Sequence, residues 1–356
     1  MNSLFSQVQI SRYTLSNRMV MAPMTRSRSD EAGVPSELVA TYYAQRASAG
    51  LIISEGVFPV AMGKGYVRTP GIETAEQVAA WKHVTEAVHA RGGRIFMQLM
   101  HCGRISHPSL LPNGAQPQAP SAIKPAGQTW TATGLQDFVT PQALSVVEIA
   151  AVIEGYRQAA RLAIEAGFDG VEVHAASGYL PEQFLSTGSN QRTDEYGGSV
   201  ENRVRFVLDV LSAISTEIGG DRVGLKLSPE MNFNDILDAN PQETYTWLVE
   251  QLHGLNLAYL HVALFGASVD YHALLRPLFD GRYLIGGGLD QRSAETLIAE
   301  GRADAAVFGS AFLANPDLPE RFRTGAELNA PDKDTFYAPG AQGYIDYPAM
   351  SPAQSA

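Results

Sequence analysis

Eight short apolar runs separated by helix-forming stretches restrict the fold of this chain more than any other feature of it. The runs fall at 18–22, 51–54, 94–99, 170–174, 223–228, 258–262, 283–286 and 305–309. Their length and apolar character are those of buried strands. Between most of them, apolar residues recur at helical spacing. Thr74 and Gln77 have the form of a capping box ahead of Val78, Trp81, Val84 and Val88, and Gly92-Gly93 stops that helix. Ser145 and Glu148 form a second box, with Ile149, Val152, Ile153, Tyr156, Ala160 and Ala163 as the apolar stripe and Gly167 as the stop. Ser199 opens a third helix that runs through Val204, Val207, Leu208 and Leu211 to Gly219-Gly220. Asn240 and Pro241 read as cap and first residue of a fourth, and 291–300, stopped by Gly301, is the last clear one.

This alternation predicts an α/β chain closed into a (β/α)8 TIM barrel, with 1–356 as a single domain. The competing open, doubly wound sheet lacks the GxGxxG turn that nucleotide binding after an early strand would require. Segments 7–10 and 13–15 predict a β-hairpin before the first barrel strand. The Pro- and Gly-rich stretch 108–141 is too long for a βα loop, so a capping insertion of about 103–144 is expected after strand three. From Pro331 onward, Tyr337, Tyr344 and Tyr347 make the tail aromatic.

Composition excludes several classes of function. A formal charge of −11 with no basic patch argues against nucleic acid and anionic membranes as partners. No apolar run approaches the roughly 20 residues that span a bilayer, and residues 1–7 lack the basic and apolar regions of a signal peptide, so a cytoplasmic protein is expected. The single Cys102 excludes an intramolecular disulfide and a CxxC metal site, and no metal is expected. Composition does not separate a monomer from a homo-oligomer.

Function in a parallel barrel gathers at the C-terminal strand ends. There the chain places Ala22-Pro23-Met24-Thr25, Glu55-Gly56, Gln98, and then His174, Ser177 and Tyr179 around Gly178. Lys226 follows on strand five, Gly286-Gly287-Gly288 on strand seven and Gly309-Ser310 on strand eight. Glycines after strands seven and eight let backbone N–H groups approach a phosphate. Together these residues favour a phosphate-bearing ligand across the barrel mouth.

Three segments carry a resemblance: Asn17-Arg-Met-Val-Met-Ala-Pro-Met-Thr-Arg-Ser-Arg28, Gly178-Tyr-Leu-Pro-Glu-Gln-Phe-Leu185 and Asn190-Gln-Arg-Thr-Asp-Glu-Tyr-Gly-Gly-Ser-Val-Glu-Asn-Arg203. With Ala314-Asn-Pro-Asp-Leu318 and Gly343-Tyr-Ile-Asp-Tyr-Pro348, the chain resembles the old yellow enzyme family of FMN-dependent ene-reductases over nearly its whole length. The resemblance implies FMN on the barrel mouth, with Pro23, Met24 and Thr25 against the ring, and Gly56 and Gln98 at its pyrimidine edge. Lys226 would lie near N1–O2, and Gly287, Gly288, Gly309 and Ser310 at the phosphate. It implies that His174 and Ser177 anchor a carbonyl or nitro oxygen, that Tyr179 donates a proton, and that Tyr66, Met100 and Tyr337 line the substrate pocket. NADPH or NADH would reduce the flavin, and a small activated alkene or nitro compound would reoxidise it in ping-pong turnover.

Four positions depart from that family's pattern. Ser177 stands where Asn or His is usual, and Lys226 replaces an Arg, keeping the charge but losing the planar fork. Ser310 replaces an Arg at the phosphate, which removes a charge-assisted bond worth ~1.5–3 kcal/mol. Met100 replaces a bulky aromatic, which should widen the pocket. Two other readings stay beside the alkene reductase and its nitro- or nitrate-ester-reducing variant: a barrel lyase with Lys226 as Schiff base, and a flavin-binding sensor with poor turnover. Taken alone, a strand-end histidine is more often structural than catalytic; the polar groups around His174 reverse that weighting. Tyr196 and the polar residues of 190–203 read as framework, and His101, His107 and His261 as packing.

Overall fold

The computed structural model describes residues 3–350. A hairpin of β1 (Val8–Ile10) and β2 (Tyr13–Leu15) comes first, followed by β3 (Met19–Met21), α1 (Glu37–Gln45), β4 (Leu51–Val57), α2 (Ala75–His89) and β5 (Ile95–Leu99). The insertion carries β6 (Gln118–Ala119), β7 (Gln128–Thr131), β8 (Gly134–Asp137) and β9 (Gln142–Ala143), and leads into α3 (Val146–Glu165) and β10 (Gly170–Ala175). Then come α4 (Leu180–Leu185), α5 (Val200–Ile218), β11 (Val223–Leu227), α6 (Pro241–Glu250), β12 (Tyr259–Ala263), α7 (Tyr271–Leu275) and β13 (Arg282–Gly286). The chain closes with α8 (Gln291–Ala299), β14 (Ala305–Phe308), α9 (Ser310–Ala314) and α10 (Leu318–Thr324).

Strands β3, β4, β5, β10, β11, β12, β13 and β14 pair in parallel and close into a barrel of eight. Both expected capping boxes form, at Thr74 with Gln77 and at Ser145 with Glu148. Asn240 departs from expectation: Pro241 does open α6, but the Asn240 side chain makes no cap and instead donates to Glu243. The hairpin closes the N-terminal mouth, where Val8, Ile10 and Leu15 pack on Phe96, Tyr259 and Leu284. Gly170 and Gly224 leave room there, since a Cβ on either would lie within 2.6 Å of the Phe96 ring or 2.3 Å of the Tyr259 ring. That end is filled, which leaves the C-terminal end for chemistry.

Helix α1 escaped the sequence reading because its buried residues, Val39, Ala40, Tyr42, Tyr43 and Ala44, run nearly consecutively and Ser36 makes no side-chain cap. Helix α4 escaped because all six of its residues are buried, Glu182 and Gln183 included, so no polar face marks a period. The aromatic tail folds back as a strap, with Tyr344 stacked on Tyr42 at 4.1 Å and 13°. Arg26 and Arg28 donate to the backbone carbonyls of Phe336, Gly343 and Thr335 and hold the strap down.

Candidate active site

Period two along β10 turns Glu172 and His174 to one side, and the register sets Glu172 beside Gln98 and His174 beside Lys226. Lys226 in turn pairs with His261 of β12. Glu172 is fully buried and accepts from Gln98 Nε2 at 2.7 Å, with its other oxygen 3.0 Å from His261 Nδ1. Burial alone would raise the Glu172 pKa, but His261, Lys226 and Gln98 outweigh it and hold the carboxyl ionised. Lys226 is lowered by desolvation, while Glu172 and Glu182 support its charge. The base of the site is therefore a balanced carboxylate–ammonium set, with Gln98 held from behind.

His174 is pushed well below its ordinary pKa, by burial first and then by Lys226 and His261. It is a neutral imidazole at physiological pH, and its Nδ1 has no hydrogen-bond partner among the described residues. Its ring meets Tyr179 edge-on at 5.0 Å, and the Tyr179 hydroxyl lies 2.9 Å from that of Tyr66. Burial raises both phenols, Tyr179 well above its usual value, so both stay protonated.

Above these groups opens a cavity of about 520 Å³. Thr25, Tyr66, Tyr179 and Tyr337 line it, together with Ser27, Arg68, Trp130 and Phe233, which the sequence reading did not single out. Trp130 comes from the β7–β8 hairpin of the insertion, so the cap contributes an apolar wall. Met100 is not on that wall. It lies buried with Cys102, Ile105, Phe138 and Tyr179, and covers Gly56 so closely that a Cβ there would meet its sulfur at 2.5 Å.

Ser177 also corrects the sequence-based expectation. Its backbone is left-handed at φ 57°, its N–H donates to Ser228 Oγ, and its hydroxyl turns toward Met231 sulfur at 3.6 Å. Turned this way, the Ser177 hydroxyl is not part of the cavity lining. The missed pair Glu172 and His261 had one available signal: Glu172 shares its strand and its side of the strand with His174, and a charge there must have a partner.

The remaining rim fits a flavin phosphate. Gly287 sits where a Cβ would come within 2.0 Å of the Leu264 carbonyl, Gly288 is left-handed with open space beside it, and Gly309 precedes the exposed Ser310. With the unpartnered His174 Nδ1 and the Lys226 ammonium, the donor set suits an anionic, ring-bearing cofactor.

A barrel with this mouth, a partly buried cation at its base and paired phenols over it defines a flavin oxidoreductase of the (β/α)8 class. The NADH:flavin oxidoreductase / NADH oxidase family matches residues 3–329. The chain is 42% identical to 12-oxophytodienoate reductase 7 of Oryza sativa subsp. japonica, covering 99% of this chain and 96% of that protein. It superposes on morphinone reductase in complex with tetrahydroNAD with a TM-score of 0.95, at 46% identity and 99% coverage of both chains. The old yellow enzyme homologue from Zymomonas mobilis gives a TM-score of 0.95 at 38% identity, covering 98% of this chain and 100% of that one. The chain belongs to this NADH:flavin oxidoreductase family, as one of its old yellow enzymes. It is an NAD(P)H-dependent flavin ene-reductase whose cofactor is FMN. Among the described residues no helix is long and apolar enough to cross a membrane.

One consequence concerns FMN retention. With Ser310 and Lys226 standing where the family resemblance leads one to expect arginines, FMN is expected to bind more weakly than nanomolar, and Ser310→Arg to tighten it at least tenfold, the equivalent of ~1.5–3 kcal/mol. Fluorescence titration of apoprotein measures both, and nanomolar affinity in the unaltered chain contradicts the reading.

Proposed function

We propose that this protein reduces the C=C bond of enones, maleimides and nitroalkenes in ping-pong turnover with NADPH or NADH, as one FMN-binding barrel domain capped by 103–144. The observation that carries the reading is the neutral, unpartnered His174 imidazole edge-on to Tyr179 beneath the cavity. Bound FMN, recharged by the nicotinamide, supplies the hydride for the β-carbon.

The chain's own groups do the rest. Pro23, Met24 and Thr25 would hold the ring, Gly56 and Gln98 its pyrimidine edge and Lys226 the N1–O2 side, and Gly287, Gly288, Gly309 and Ser310 would hold the phosphate. Glu172 holds the Gln98 amide in place for that contact. His174 donates to the carbonyl or nitro oxygen, where negative charge grows during reduction. Tyr179 gives its proton to the α-carbon, which a phenol held protonated at neutral pH can do. Tyr66, Trp130, Phe233 and Tyr337 offer apolar contact and exclude water from the acceptor.

The test is anaerobic and optical. The FMN-loaded protein should bleach on addition of NADPH or NADH and recover its flavin absorbance with cyclohexenone or N-ethylmaleimide, yielding the saturated product. Bleaching without recovery by any activated alkene sinks the proposal and favours the sensor reading, whereas recovery only with nitro compounds or nitrate esters favours the nitroreductase.

A further inference from the structure

The segment after β11 is held in a conformation that side chains avoid. Glu230, Asn234 and Asp235 all have left-handed backbones, at φ 56°, 55° and 56°. Such strain persists only where surrounding contacts impose it, and it gathers at functional sites. The flanking contacts are present. The Glu230 carboxylate accepts from the Ser268 N–H at 2.6 Å and the Tyr271 hydroxyl at 2.8 Å. Asp235 accepts from Arg104 through its carbonyl at 2.6 Å and from the Ala126 N–H through its carboxylate at 3.0 Å.

Between these two anchors, Asn234 reaches the turn that precedes Tyr179. Its Nδ2 donates to the Ser177 carbonyl at 2.8 Å, and a Cβ added to Gly178 would lie 2.7 Å from its own Cβ. Ser177 and Gly178 are the two left-handed residues immediately before Tyr179. Burial raises the pKa of Tyr66 and Tyr179, and the Asn234 carboxamide pulls each of them back. With the Ser177 hydroxyl turned to Met231, Asn234 is a polar side chain that holds the turn from outside it, next to Phe233 of the cavity wall.

We propose that Asn234 is the positioning residue for proton donation: it fixes the Ser177–Gly178 turn and, with Tyr66, directs the Tyr179 O–H toward the acceptor. This rests on Tyr179 as the donor. Two hydroxyls 2.9 Å apart share one proton between them, so only one phenol has a proton to give. When Tyr66 donates to Tyr179, the Tyr179 proton is the free one. In the transfer the Tyr179 O–H bond breaks, and the enolate electron pair left by hydride addition forms the Cα–H bond. The negative charge then lies on the Tyr179 oxygen beside the Tyr66 hydroxyl, and a proton from water at the mouth returns through Tyr66.

The test compares half-reactions of the FMN-loaded protein by stopped flow in Asn234→Gly, Tyr66→Phe, Tyr179→Phe and the Asn234→Gly/Tyr179→Phe double variant. Glycine accepts the φ of 55° without strain, so loss of fold is avoided. Asn234→Gly and Tyr66→Phe are each expected to slow reoxidation by an enone about tenfold, while reduction by NADPH and reoxidation by ferricyanide, which takes no proton on carbon, stay within about twofold. In the Tyr179→Phe background, Asn234→Gly should add no further loss, because the group it positions is gone. In FMN-free protein, Asn234→Gly should raise amide exchange across 176–180 and not elsewhere in the barrel.

An additive loss in the double variant, an equal loss in flavin reduction, or unchanged exchange at 176–180 overturns the proposal while leaving the donor assignment standing. A Tyr179→Phe variant that reoxidises with the enone at the unaltered rate overturns the donor assignment, and this inference with it.

Discussion

Tyr179→Phe slows reoxidation by an enone about 100-fold and leaves flavin reduction by NADPH within about twofold, the low end of what a positioned general acid contributes. The substitution removes one oxygen and retains the ring, so the edge-on contact with His174 at 5.0 Å and the packing on Met100 and Cys102 survive. The loss therefore reports proton transfer and not collapse of the pocket. Hydride transfer from the nicotinamide needs no proton from a phenol, hence the split between half-reactions. The same electrostatics predict a flat pH profile for the unaltered oxidative half-reaction between about 7 and 9. His174 titrates well below that window, and Tyr179 well above it, both because burial disfavours their charged forms. Anaerobic stopped-flow traces of each half-reaction across that range check both statements. Equal loss in the two half-reactions would make Tyr179 a binding or folding residue.

How much of this was legible before the structure depended on whether a residue's role is written in its neighbours along the chain. The barrel was legible because each strand and most helices carry their own punctuation: capping boxes at Thr74 and Ser145, stops at Gly167 and Gly301. The rim was legible because strand ends are fixed once strands are placed, and His174, Lys226, Gly287 and Gly309 follow from that alone. Partners across strands were not. Glu172 and His261 meet through barrel closure over a separation of 89 residues, and nothing local to either announces it. Ser177 was placed at the right strand end, but the direction of its hydroxyl was not legible. Its direction is set by Ser228, Met231 and Asn234 on another loop, and by its own left-handed backbone, which no local signal announces. Met100 shows the same limit: a smaller side chain than an aromatic widens a pocket only if the backbone beneath leaves it in place, and Gly56 lets it sink.

Arg46→Met is expected to lose about 3–5 kcal/mol of stability, because two or three buried carbonyls are left unsatisfied at ~1–3 kcal/mol each. Arg46 is fully buried at the end of α1. Its Nε donates to the Phe312 carbonyl at 2.8 Å and its Nη2 to that of Leu313 at 2.6 Å, while Nη1 reaches the Tyr42 carbonyl at 2.9 Å. Phe312 and Leu313 belong to α9, a helix of five residues whose last carbonyls have no partner within the helix. The guanidinium also lies 3.9 Å from the centre of the Tyr42 ring, on which Tyr344 of the C-terminal strap stacks. Methionine replaces the aliphatic stem, so the loss isolates the polar fork. α9 begins at Ser310 beside Gly309, so with these two at the phosphate as proposed, a loosened α9 should weaken FMN binding together with the fold. Urea unfolding should show a lower midpoint at unchanged slope, and the control Arg161→Met, which removes an exposed ion pair to Glu165, should cost less than ~0.5 kcal/mol. A loss below about 1 kcal/mol for Arg46→Met would mean that water takes over the three carbonyls, and that α1, α9 and the strap are not clamped through this side chain.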